Sequence, residues 1–368
     1  MRETSIRRSL AILAVVLPAH QAAAASFKVI ASVPGGPQIG AISGATLYGT
    51  VAYSGNGLLF RMTISGAGYK VLHRFNTNVD GKNPDARLAL GATGDLFGAA
   101  PGGGANGGGT LWEYTRSGVM LTRHAFGAGS DGSTPLQGPT MGAGGTIYGA
   151  AGEGAISGSG NIFSVSHGGS YHVIYDFMSK GDGHCPFSGV AFGPGAVLYG
   201  TTVGVGFGGN PNGSVWQYTA AHGLKTIYVF TDGVDGEWPS QAPVVDGAGN
   251  VYGTTNMQSG ALFAGVIWKI SAAGVFSVLH SMNAATDGFA PNSPLLLDAN
   301  GKFYGTTGSQ GPGGYGTVFS ITKTGVFSVI HSFSNTGDGA QPTGNLVQDS
   351  AGVIYGGTAN GPVFKIKP

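Results

Sequence analysis

The chain has 368 residues, of which 70 are Gly, and it carries only 18 Lys and Arg and 17 Asp and Glu, for a formal net charge of +1. With 42% hydrophobic and 10% aromatic residues, disorder is excluded, since it needs low hydrophobicity together with high charge. Irregular Gly spacing beside only 18 Pro excludes collagen, and a near-neutral charge without a Lys/Arg cluster in the body of the chain excludes nucleic acid as a partner.

Residues 1–25 differ from the rest. Arg2, Arg7 and Arg8 flank the start of an apolar run from Leu10 to Leu17, and Ala23-Ala24-Ala25 precedes Ser26. This is the pattern of a cleaved secretory signal, and the run is shorter than the roughly 18–20 residues that a spanning helix needs. The expectation is a secreted or periplasmic protein with no membrane span after cleavage. The single cysteine, Cys185, permits no internal disulfide, so packing alone must stabilise the exported chain.

Beyond residue 25 the dominant signal is a repeat. After a strand pattern at Phe27 to Val33 and another at Ile39 to Ile42, an aromatic-Gly pair recurs at Tyr48, Phe97, Tyr148, Tyr199, Tyr252, Tyr304 and Tyr355, at spacings of 49, 51, 51, 53, 52 and 51 residues. Each pair is followed by a Gly-rich stretch and then by a strand whose aromatic falls at Phe60, Trp112, Phe163, Trp216, Trp268, Phe319 or Phe364. A further strand of the type Val329-Ile330-His331-Ser332-Phe333 leads into Asp-Gly-x-x-Pro, which occurs six times, with Asp at 80, 131, 182, 235, 287 and 338. Four short strands per period of about 50 residues signify propeller blades. The expected fold is therefore all-β, one domain over residues 26–368: a seven-bladed β-propeller with four antiparallel strands per blade. The seventh unit lacks a fourth strand, and Phe27 to Val33 matches it. The N-terminal strand is expected to complete the last blade and close the ring, which removes free sheet edges.

The stretch Tyr304-Gly305-Thr306-Thr307, Gly313-Gly314-Tyr315-Gly316-Thr317-Val318-Phe319, Val329 to Phe333 and Asp338-Gly339 resembles the Gloeo/Verruco tandem repeat of exported bacterial proteins. The resemblance implies a propeller-like extracellular protein and brings no catalytic residues. The C-terminal anchors of some relatives are missing, which favours a freely secreted or periplasmic form.

In such a blade the Gly-rich loops and the Asp-Gly-x-x-Pro turns open on the same end of the ring. The six Asp residues could form a carboxylate ring for Ca²⁺, but a residue repeated in every blade is better explained as a turn acceptor, with Gly supplying positive φ. No cofactor or metal is expected. The recurrent His73, His280 and His331, replaced by Tyr175 and Tyr228, read as packing and hydrogen-bonding residues. Function is then sought where the symmetry breaks. The variable positions of the turns offer Lys82, His184, Glu237, Trp238 and Phe289, and Glu153 stands out as a charge within a Gly-rich loop. Asp85, with Arg87, Gln137, Ser188, Gln241 and Asn292, would add polar contacts at the channel entry. An aromatic platform beside a carboxylate and a His suits stacking on a sugar face. The leading reading is a monomeric, noncatalytic binding module for an extracellular glycan or protein. The alternatives are a polysaccharide lyase or glycoside hydrolase using His184 or a Tyr with Glu237 or Glu153, and a purely structural repeat protein. Cys185 beside His184 also admits a reactive thiol.

Overall fold

Seven glycines set the geometry of the repeats. In the computed structural model, which describes residues 25–52, 54–85, 87–178, 182–204, 212–231, 233–257 and 263–368, every aromatic-Gly pair places its Gly directly across from the Phe or Trp of the next strand. Gly49 faces Phe60, Gly98 faces Trp112, Gly200 faces Trp216 and Gly356 faces Phe364, with Gly149, Gly253 and Gly305 equivalent. A Cβ at any of the seven would come within 2.1–2.6 Å of that ring. Without one, the ring lies over the partner strand, and none of the seven rings is more than 2% exposed.

Among the described residues the strands form six hydrogen-bonded sheets, four of four strands, one of five and one of eight. The eight-stranded sheet runs Ser26–Ser32, Pro362–Lys367, Ile354–Thr358, Pro342–Gln348, Pro37–Ser43, Thr46–Val51, Leu58–Thr63, Lys70–Arg74. It consists of two four-stranded halves joined by one parallel bridge from Ile39 to Gly344. The first strand of the chain pairs antiparallel with the last, Phe27 opposite Ile366. The fold is all-β. No helix among the described residues is long and apolar enough to cross a membrane, and the expected signal peptide lies almost wholly outside the described residues.

The apolar core lies between successive sheets. One cluster joins Phe97, Leu111 and Phe126 of the second repeat to Ile147, Phe163 and Val165 of the third. Another joins Val347, Tyr355 and Val363 of the seventh repeat to Ile39, Leu47 and Phe60 of the first. Each such side chain contributes roughly 1.5–3 kcal/mol on burial, so the stacking of neighbouring sheets rather than any one sheet carries the stability.

The Asp-Gly-x-x-Pro turn is the joint between repeats. Its Asp accepts a hydrogen bond from the His or Tyr seven residues earlier, at 2.5–3.2 Å, in all six copies: His73–Asp80, His124–Asp131, Tyr175–Asp182, Tyr228–Asp235, His280–Asp287 and His331–Asp338. It also accepts from the backbone N–H four residues earlier, as at Asn76, Gly127 and Thr231. The donor ring stacks in turn on an aromatic of the following repeat, His124 on Tyr171, Tyr228 on Phe276 and His280 on Phe327, and His331 stacks on Phe27 of the N-terminal strand at 3.6 Å. The Pro packs against the Gly that precedes the Phe/Trp strand of the previous repeat. Cβ atoms added at Gly57, Gly109, Gly160, Gly213 and Gly316 would meet Pro84, Pro135, Pro186, Pro239 and Pro342 at 2.2–2.8 Å.

Candidate functional site

Two positions of each turn remain free to vary, and their backbones are fixed. The first bridges to the Gly-rich loop of its own repeat, Lys82 to Gly102, Ser133 to Glu153 and Glu237 to Met257. The second donates its N–H to the loop of the previous repeat, Asn83 to Asn56 O, Thr134 to Gly108 O, Cys185 to Ser159 O and Trp238 to Asn212 O. Turns and Gly-rich loops thus meet at one end of the molecule. All six second positions, Asn83, Thr134, Cys185, Trp238, Ala290 and Gln341, have φ between 52° and 59°. This left-handed region is uncommon for any residue but Gly and is a strong outlier for a bulky one. Six residue types share it, so the clamp between neighbouring loops imposes it.

The side chains placed on this frame differ in exposure. Lys82 is exposed, with its stem lying across Gly102. Asp85 accepts from the N–H groups of Arg87 and Gly138. Glu153 is exposed and accepts from Thr134 Oγ1 at 3.3 Å. His184 is buried at 2% exposure, its Nδ1 lies 3.2 Å from Cys185 Sγ, and its buried Nε2 has no partner among the described residues. Glu237 is half-buried and Trp238 is 37% exposed. Phe289 is half-buried against the cluster of Tyr252, Leu295 and Phe303. Among the described residues no ring contact joins Trp238 to Phe289. The structure therefore sets His184 and Cys185 on one turn, with Glu153 on the Gly-rich loop before it near enough to act on the Cys185 thiol, and Glu237 with Trp238 on the next turn, and it gives Phe289 to the core.

The electrostatics weigh against Cys185 as a reactive thiol. Burial, reinforced by the Glu153 carboxylate, pushes its thiol up to about 11, away from the thiolate form that nucleophilic chemistry requires. Burial also lowers His184, against the opposing pull of Asp182, which disfavours the charged imidazolium that would stabilise a thiolate beside it.

The polar residues at the first strands converge. Gln137 Nε2 donates to Gln241 Oε1 at 3.2 Å across two repeats. Arg87 Nη2 donates to Thr140 Oγ1 at 3.2 Å, while its Nη1 is buried without a partner. Burial lowers the Arg87 guanidinium and Asp85 raises it. Ser188 Oγ donates to Thr201 O, and Asn292 Nδ2 donates to Pro342 O at 2.7 Å. Arg87 and Asn292 tie neighbouring repeats together and Gln137 reaches Gln241 two repeats on, while Ser188 bonds within its own repeat; the sequence did not disclose these contacts. The coupling of each turn Asp to a ring seven residues earlier was also missed, along with His124 as a member of the set. Its signal was present in the constant seven-residue offset. Among the described residues no group of three His, Cys, Asp or Glu is arranged to hold a metal.

The family described as the Gloeobacter/Verrucomicrobia repeat matches residues 31–207 and again 191–368. No curated protein matches the sequence. Among solved structures, a streptogramin B lyase aligns with a TM-score of 0.65 at 16% identity, over 93% of this chain and 97% of that one. The extracellular domain of the one-component system BT4673 from B. thetaiotaomicron aligns with a TM-score of 0.62 at 13% identity, over 92% of this chain and 39% of that one. A protein described as a gluconolactonase gives 0.53 at 11% identity, over 94% and 93%. At these identities the likeness establishes the fold, which is propeller-like.

Proposed function

The chain belongs to the Gloeobacter/Verrucomicrobia repeat family, and from that premise we propose that residues 26–368 form one exported, monomeric seven-bladed propeller that binds an extracellular glycan, without catalysis, through the end bearing the Asp-Gly-x-x-Pro turns. Support for seven blades comes from the eight-stranded sheet, whose two halves add to the five other sheets, and from Phe27, which takes on His331 the stacking position that Tyr171 takes on His124. Closure by the N-terminal strand is supported by the pairing of the first strand with the last.

The observation that carries the binding reading is Trp238. The clamp accepts Asn, Thr, Cys, Ala or Gln at the same position with the same φ, so a Trp in this strained conformation, 37% exposed beside Glu237, answers no demand of the fold. A ring with one open face next to a carboxylate can stack on a sugar while the carboxylate accepts from its hydroxyls. Glu153, Lys82 and Asp85 lie at the same end and would extend the contact; His184 supports the frame from within. A hydrolase or lyase would need an acid and a base facing one cleft, and the buried His184 weakens that alternative.

The four Trp residues make the test direct. Trp112, Trp216 and Trp268 are 0% exposed, so iodide quenching of the intrinsic fluorescence reports on Trp238. We expect neutral and acidic oligosaccharides from bacterial and plant cell walls to include a ligand that protects this Trp from iodide, and Trp238→Ala to weaken that ligand by about tenfold or more, the scale of a stacking hot spot. Undiminished binding by Trp238→Ala removes this sector from the proposal. Binding to a protein with none to any glycan replaces the ligand class.

A further inference from the structure

A second place where the repeats stop being equivalent lies at the opposite end of the sheets, in the groove between the first and second repeats. It is lined by Tyr48, Arg61 and Lys70 of the first repeat and by Tyr114, Arg116 and their turn in the second, and encloses about 370 Å³. The groove between the fourth and fifth repeats is its structural counterpart, with Tyr199 and Lys225 in place of Tyr48 and Lys70, and it encloses about 190 Å³. Three of the positions that differ bear on charge and size. Arg61 is replaced by Gln217, Tyr114 by Ile270 and Arg116 by Ala272. The fold is satisfied by the second set, so the first set needs another explanation.

The charge arrangement supplies one. Arg61 and Lys70 are direct cross-strand partners, and like charges directly opposite one another destabilise a sheet. Of the 18 Lys and Arg in the sequence, three precede residue 26, and three of the rest, Arg61, Lys70 and Arg116, line this one groove. Among the described residues none of the three makes an ion pair; the ion pairs involve other side chains. Asp95 of the neighbouring turn accepts instead from Thr93 Oγ1 and the backbone N–H of Arg116. The phenols of both grooves, Tyr48 and Tyr199, differ from those of the later repeats, since Gly193 stands six before Tyr199. Tyr252, Tyr304 and Tyr355 donate to Asp246, Asp298 and Asp349, six residues before each, whereas the residue six before Tyr48 is Ile42. The Tyr48 hydroxyl therefore has no such acceptor.

We propose that this groove binds an anionic organic ligand of sugar size, a uronic acid or sugar phosphate, with Arg61, Lys70 and Arg116 around the charged oxygens and Tyr48 and Tyr114 on the hydroxyls. A volume of about 370 Å³ lies within the roughly 300–1,000 Å³ of small-molecule sites, and the counterpart falls below it. The site is at the far end from Trp238 and does not rest on the glycan reading given there.

The test uses the whole exported chain and titration calorimetry with four probes: digalacturonate, glucose 6-phosphate, inorganic phosphate and neutral maltose. The two anionic sugars should bind, with inorganic phosphate about tenfold weaker and maltose undetectable, and binding should weaken as salt is raised because exposed charges are screened. Replacing the three residues by their counterparts, Arg61→Gln with Tyr114→Ile and Arg116→Ala, should cost about tenfold or more in affinity. The reciprocal change, Gln217→Arg with Ile270→Tyr and Ala272→Arg, should add a second site, and it reads the proposal even where the first variant folds poorly. Equal affinity for maltose, tightest binding by inorganic phosphate, no binding by either anionic sugar, or full affinity in a folded triple variant each overturns the proposal.

Discussion

Four of the six inter-repeat turns are held by a His and two consecutive ones by a Tyr, and the difference separates two regions of the molecule. The seven-residue offset and the accepting Asp are the same throughout. Yet His184, Glu237 and Trp238 all stand on the Tyr-anchored turns, after Asp182 and Asp235. Burial, with the nearby Asp182, pushes Tyr175 up to about 12, and Tyr228 is raised by burial and Asp235. These donors keep their proton across the physiological range. A Tyr anchor gives a frame that keeps its proton, whereas the His124 and His331 anchors, lowered by burial, protonate as pH falls. Glu237 and Trp238, which carry the proposed binding, are thus mounted on a Tyr-anchored turn whose donor keeps its proton.

The largest expected effect undercuts the Tyr175-anchored turn at its base. Trp216 packs with Ile162, Phe177, Val190 and Leu198, with Tyr175 against the same cluster. Trp216→Ala should destabilise by about 3–5 kcal/mol, the range for truncating a buried aromatic, measured by denaturant unfolding. Trp216→Phe should lose far less, because Phe fills the equivalent place at Phe60, Phe163 and Phe319 and because Trp216 Nε1 is buried without a partner. Similar losses from both variants would mean that the neighbouring sheets do not rest on this ring.

The second expected effect is pH-dependent and belongs to the His-anchored turns. Burial lowers His124 and His331 against the opposing pull of Asp131 and Asp338, and each ring is packed on an aromatic, Tyr171 and Phe27. Because the folded pKa is below the unfolded value of about 6.5, the unfolded chain binds more protons as pH falls through that value. Their contribution is complete above about pH 6.5 and is lost below it as the folded groups protonate. Thermal unfolding followed from pH 8 to 5 should show a falling midpoint, and His124→Tyr with His331→Tyr should flatten that slope. An unchanged slope in the double variant would place the sensitivity elsewhere and remove the distinction between the two kinds of anchor.

The sequence made the repeated parts readable because each was printed several times. The Gly opposite Phe or Trp, the Asp turn and the strand count are all period-locked, so spacing alone located them. The pairing of His73 with Asp80 was half visible: both residues were noted, but their meeting depends on the strand bending into the turn. The exposure of Trp238 and the burial of His184 could not be read, since each is decided by a loop of the adjacent repeat whose residues lie far off in sequence. The groove at Arg61, Lys70 and Arg116 was hidden for the same reason, being assembled from two repeats at an end of the sheets where no motif recurs.

The smallest expected effect on stability sharpens the comparison most, because it separates Trp238 from Trp216. Trp238 has φ 58°, a conformation that costs a non-Gly residue on the order of 1–3 kcal/mol. Trp238→Gly removes that strain. It also gives up the part of the ring that is covered and loosens the unfolded chain, which costs roughly 0.5–1 kcal/mol for Gly. These contributions oppose one another, so the variant should unfold within about 1 kcal/mol of the parent, while iodide quenching becomes negligible because the remaining Trp residues are all 0% exposed. A loss of about 3 kcal/mol or more would make Trp238 a packing residue like Trp216, and the argument that its strained, open placement serves a ligand would fall with it. A near-neutral result with loss of glycan binding would instead show a side chain kept at some conformational cost for a purpose outside the fold.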